Sequence, residues 1–78
     1  YIVGNEVNTM KIDKMKVDIA MANKGFSAKE LSEKCGISQI TITRLKKGVQ
    51  KARPETVGKI AKALDVPVEN LIDLDGGD

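Results

Sequence analysis

The sequence predicts an all-α fold, a compact domain of five short helices in which helices 2 and 3 form a helix-turn-helix. Three observations carry that prediction. Residues 27–48, SAKELSEKCGISQITITRLKKG, read as a short helix, a turn at Gly36 and a second short helix stopped by Gly48. Elsewhere apolar residues recur at three- and four-residue spacing, the period of a helix with a buried face. Finally, 78 residues leave room for one domain with a single small core. That core has one cysteine and no histidine, so neither a disulfide nor a four-ligand zinc site staples it, and packed helices remain the solution.

Residues 1–9, YIVGNEVNT, fit no helix: Tyr1, Ile2 and Val3 favour a strand and Gly4-Asn5 a turn. Met10-Lys11 resembles a translation start, so residues 1–9 are expected to be disordered or a cloning remnant, the alternative being an arm that adds to a neighbouring chain. Helix 1 is expected over Ile12 to Lys24, closed by Gly25. It carries two stripes, Val17, Ala20, Met21 and Lys24 on one face and Ile12, Met15, Ile19 and Ala22 on another. The second stripe implies packing against the last helix or a subunit contact.

Helix 2 starts at Ser27, with Glu30 three residues on completing a capping box, and points Leu31 and Cys35 inward. Cys35 reads as a small core residue. Gly36 makes the turn and Ile37 plugs the gap between the helices. Ser38 caps helix 3, whose inward residues are Thr41, Ile42 and Leu45. The run ITIT favours a strand on propensity alone, but the cap before it and LKKG after it decide for helix. Val49 to Arg53 is a basic connector. Helix 4 runs from Pro54 to Leu64 and buries Val57, Ile60, Ala61 and Leu64. After Asp65-Val66, Pro67 restarts a fifth helix, Val68 to Leu74, that buries Val68, Leu71 and Ile72. The domain thus spans residues 10–75, and residues 76–78 form a frayed acidic tail.

A net charge of +2 hides a segregation. From Arg44 to Lys59 there are six basic residues and one acid, whereas from Asp65 to Asp78 there are five acids and no base. A basic patch at the end of one helix is the electrostatic footprint of phosphate contact. Without histidine, and with no carboxylates paired for acid–base work, no enzyme activity is expected. No cofactor or metal is expected either. No apolar run approaches the roughly 20 residues that span a bilayer, and no secretory signal is visible, so a cytoplasmic protein is expected. Helix 3 leaves Ser38, Gln39, Thr43 and Arg44 on its outward side, side chains that reach base edges when a helix lies in the major groove.

These features together resemble the lambda-repressor/Cro-like helix-turn-helix family, also called the XRE family. The match runs from about Met15 to Leu74 and rests on KGFSAKELSEKCGIS, ITRLKKG and PETVGKIAKALDVPVENL. The resemblance implies a lambda-repressor-like fold and a dimerising transcription regulator that reads a short palindromic operator with helix 3. The family's base-reading positions fall here on Ser38, Gln39, Ile40, Thr43 and Arg44. Phosphate contacts are expected from Lys29, Thr41, Lys46, Lys47, Lys51 and Arg53. Two departures stand out. The family's common glutamine at the start of helix 2 is Ala28 here. Its arginine in helix 1 and glutamate near the end of helix 3 are replaced by Met21 and Lys46, which suggests Met21 lying on the stem of a Lys46 whose ammonium is free for DNA.

The function expected is therefore a sequence-specific double-stranded DNA-binding regulator, a repressor of phage, mobile-element or bacterial origin. It would act as a homodimer at least on DNA and associate with the nucleoid when bound. The fifth helix with the acidic tail is the favoured dimer surface, the Ile12–Ile19 stripe the alternative. The competing reading is a protein-interaction module of the same fold, with the antitoxin of a toxin–antitoxin pair as a subtype of the first. The connector cations argue against the module, while Ile40 and Ile19 suit it.

Overall fold

Asp13 starts the first helix, because its carboxylate accepts the Lys16 backbone N–H at 3.1 Å. In this computed structural model, which describes residues 9–73, α1 accordingly spans Lys14–Lys24. It is followed by α2 (Ala28–Cys35), α3 (Gln39–Lys47), α4 (Pro54–Leu64) and one 3-10 turn, Val68–Asn70. The expected five helices are therefore four and a turn. Residues 1–8 and 74–78, and with them the N-terminal segment and the frayed tail, lie outside the described residues.

The fifth helix fails for a visible reason. Pro67 opens it, but Leu71 drops into the core with no exposed surface and the chain then runs extended. Ile72 pairs antiparallel with Ile12, the Asp13 N–H donates to Leu71 O at 2.9 Å and the Asp73 N–H to Lys11 O at 2.9 Å. β-branched residues suit that pairing better than a last helical turn. Val68 and Ile72 end half-buried rather than buried. Ile12 likewise leaves helix 1: it is extended, and it is buried.

The core collects Val17, Ala20 and Met21 from α1, Leu31 and Cys35 from α2, Ile42 and Leu45 from α3, and Val57, Ile60, Ala61 and Leu64 from α4. Ile12 and Ala52 close it from extended segments and Leu71 from the end of the 3-10 turn. α2 packs most extensively on α4, and α1 braces α3. Only one face of α1 is buried, since Met15 and Ile19 remain 64% and 54% exposed. The second stripe is thus not covered by a last helix. No helix among the described residues is long and apolar enough to cross a membrane.

Candidate nucleic-acid interface

The turn between α2 and α3 is built by local chemistry. Gly36 adopts φ +75°, the left-handed conformation that side chains resist, and its N–H closes on Ser32 O. The Ser32 hydroxyl then donates to Ile37 O at 2.7 Å across the turn. At the two helix starts, Ser27 and Glu30 form the expected capping box, and Ser38 accepts the Thr41 N–H at 3.1 Å. Ser32 was not singled out from the sequence. A hydroxyl one turn before the glycine was the available signal.

α3 is held by Ile42 and Leu45, 3% and 1% exposed, and everything else on it is arranged around that anchor. Gln39, Ile40, Thr43, Arg44 and Lys47 share the opposite face and line one open depression. Ile40 is 65% exposed there, an apolar side chain among polar and cationic ones. Ser38 is exposed at the mouth of the helix, but its hydroxyl also donates to Thr41 Oγ1 at 3.0 Å, so the two hydroxyls are engaged with each other. Thr41 is half-buried. Lys29 is exposed in the first turn of α2. Lys51 and Arg53 are exposed on either side of Ala52, which is 2% exposed, so the connector alternates cation, core, cation.

Lys46 departs from expectation. Its ammonium lies 2.6 Å from Asp18 Oδ1, with the lysine side chain only 21% exposed, so it is tied to α1 and not free. Asp18 also holds Lys14 at 2.8 Å through its other oxygen. Hydrogen bonds from Lys14 and then from Lys46 keep the Asp18 carboxyl below its ordinary range, outweighing the small desolvation that opposes them. An acid on α1 and a base on α3 thus join the helices, the reverse of the arginine–glutamate arrangement the resemblance led one to look for. Asp18 lies one helical turn before Met21, and an acid at that spacing was the available signal.

A short helix anchored by one face, capped at Ser38, with polar and cationic side chains on the other face and cations beyond its end, defines a DNA-binding helix-turn-helix domain. The family profile described as helix-turn-helix matches residues 19–71, more than half of the chain, and the protein belongs to this XRE family of DNA-binding transcription regulators. Among solved structures, the crystal structure of the hypothetical transcription factor NHTF from Neisseria is similar at 20% identity, covering 82% of this chain and 83% of that one with a TM-score of 0.65. That likeness establishes the fold. No curated protein matches.

Proposed function

We propose that this regulator is a sequence-specific repressor that binds a palindromic operator as a homodimer, with α3 of each copy in the major groove. The observation that carries the reading is the single exposed face of α3 on which Gln39, Ile40, Thr43, Arg44 and Lys47 converge. Gln39 has the donor–acceptor pair for adenine and Arg44 the fork for guanine, while Ile40 supplies an apolar surface for a thymine methyl. Ser38 stands beside them with its hydroxyl committed to the cap. Lys29, Lys47, Lys51 and Arg53 contact phosphate, and Thr41 reaches the groove edge. Lys46 leaves that set, because Asp18 occupies it.

Four such cations give a salt slope of about −3.6 per protomer, at roughly 0.9 per neutralised phosphate. Binding of that strength is weak at physiological salt, and two half-sites one helical turn apart remedy it. Selection from a random duplex library at 0.15 M salt tests the reading. A palindromic motif supports it. Half a palindrome removes the homodimer, and no enrichment at all removes sequence-specific repression and turns the search to a protein bound on α3.

A further inference from the structure

The chain before α1 does more than lead into it. The Met10 N–H donates to Ala52 O at 2.6 Å, and the Ala52 N–H donates back to Met10 O at 2.8 Å. This closed antiparallel pair grips the residue between Lys51 and Arg53. Two residues on, the same segment is fastened to the far end of the domain through Asp13 to Leu71 and Asp73 to Lys11. The ends of the connector are held by the flanking helices, the Val49 N–H donating to Arg44 O at 3.2 Å and Arg53 O accepting the Val57 N–H at 3.0 Å. The side chains of Val49, Gln50, Lys51 and Arg53, however, are all exposed, with Val49 at 68%. The connector's only buried side chain is the Ala52 methyl, too small to fix an orientation by packing alone.

We infer that Met10 is a positioning residue for DNA binding, its backbone pair with Ala52 holding the Lys51 and Arg53 cations in the register that meets the phosphates beyond α3. The inference rests on the proposed DNA-contact reading of those two cations. Physically, the pair gives the middle of the five-residue connector a strand-like edge between its two helix-anchored ends. In that edge the side chains before and after Ala52 must point away from the core. Two cations already oriented lose less freedom on binding than two on a free loop.

The test is a double-mutant cycle on the full chain, with a fluorescent 20-base-pair duplex of mixed sequence as the probe. Met10→Pro removes the N–H that Ala52 O accepts, and Met10→Ala keeps it while deleting the side chain. Met10→Pro is expected to weaken binding by about fivefold for each phosphate contact released at 0.15 M salt and to flatten the salt slope by about 0.9 per contact. Met10→Ala, matched for folded fraction by circular dichroism, retains the slope. Adding Lys51→Ala and Arg53→Ala to Met10→Pro then costs little more. Full additivity overturns the inference, because a merely structural bridge leaves the cations' contributions independent.

The wild-type chain supplies a second reading should Met10→Pro not fold. If the bridge and the contacts are linked, duplex DNA slows hydrogen exchange at the Met10 and Ala52 amides more than at Asp13 and Asp73. Equal slowing overturns the inference. Failure of the wild-type protein to bind duplex with any salt dependence overturns instead the DNA-contact reading on which it stands.

Discussion

Asp18→Asn separates two roles that one ion pair combines. The amide keeps the shape of the side chain and removes the charge that holds Lys46 at 2.6 Å and Lys14 at 2.8 Å. With 34% of the Asp18 side chain in solvent, screening limits the loss to about 0.5–1 kcal/mol, well below what a dry pair gives. For a domain this small that is a fall in Tm of about 2–8 °C. The pH dependence has a definite sign. The Asp18 carboxyl is held below its ordinary range in the folded protein, so its contribution is complete above an unfolded pKa of about 3.9 and disappears as the pH falls through the lowered folded value. The Tm gap between wild type and variant therefore stays constant from pH 7 to pH 5 and closes only below about pH 4. DNA binding moves in the opposite direction. Ile42 and Leu45 still anchor α3, and a released Lys46 gains access to phosphate, steepening the salt slope by about 0.9 and tightening binding about fivefold at 0.15 M salt. Fluorescence anisotropy against a labelled duplex, over a salt series, reads both quantities. An unchanged slope with weaker binding would refute the reasoning, showing that the tether orients α3 and that Lys46 has no path to the backbone.

Three other outcomes follow from the geometry. Leu31→Ala deletes a side chain with no exposed surface between α2 and α4, and a loss of about 2–5 kcal/mol, read by urea titration, consumes much of a small domain's stability. Gly36→Ala meets no atom within 4 Å, so its cost is the left-handed backbone alone, about 1–2 kcal/mol; a larger loss points to steric crowding that the turn does not contain. Arg44→Ala relaxes discrimination at one base pair of a selected operator, whereas Lys51→Ala weakens all sequences alike and flattens the salt slope by about one unit. Equal losses on every sequence from both variants exclude direct base reading by Arg44.

The helix-turn-helix was legible because each boundary carries its own chemistry. Ser27, Glu30, Gly36, Ser38 and Gly48 occupy the caps that residue type alone assigns them, and Ile42 and Leu45 are inward as their spacing requires. The beginning and end of the domain were not legible, because their pairing is non-local. Nothing in the neighbourhood of Ile72 shows that Ile12 lies opposite, and a three-residue start after Pro67 resembles the first turn of a longer helix. The end of α4 was legible without a glycine: the helix stops at Leu64 as expected, and Asp65 takes the left-handed cap at φ +58°. The ion pair of Lys46 was illegible for the same reason as the pairing of Ile12. The partner of Lys46 is 28 residues earlier in the chain and on another helix, and a lysine gives no periodic signal of which helix it meets.

The engagement of Ser38 and Thr41 with each other bears on how many copies the proposed operator needs. With those hydroxyls used in the cap, hydrogen-bonded base reading by one protomer falls chiefly to Gln39 and Arg44, with apolar help from Ile40. Two bidentate contacts are worth roughly 2–6 kcal/mol of discrimination, at roughly 1–3 kcal/mol each. A regulator must outcompete non-specific sites by roughly 4–10 kcal/mol, so one protomer reaches only the lower part of that range. Two protomers on a palindrome reach about 4–12 kcal/mol and double the phosphate contacts as well. The brevity of the reading face is thus an argument for the proposed homodimer that needs no knowledge of which surface joins the copies. It also predicts where the argument breaks: an isolated half-site bound with full specificity at 0.15 M salt requires base contacts beyond Gln39, Ile40, Thr43 and Arg44.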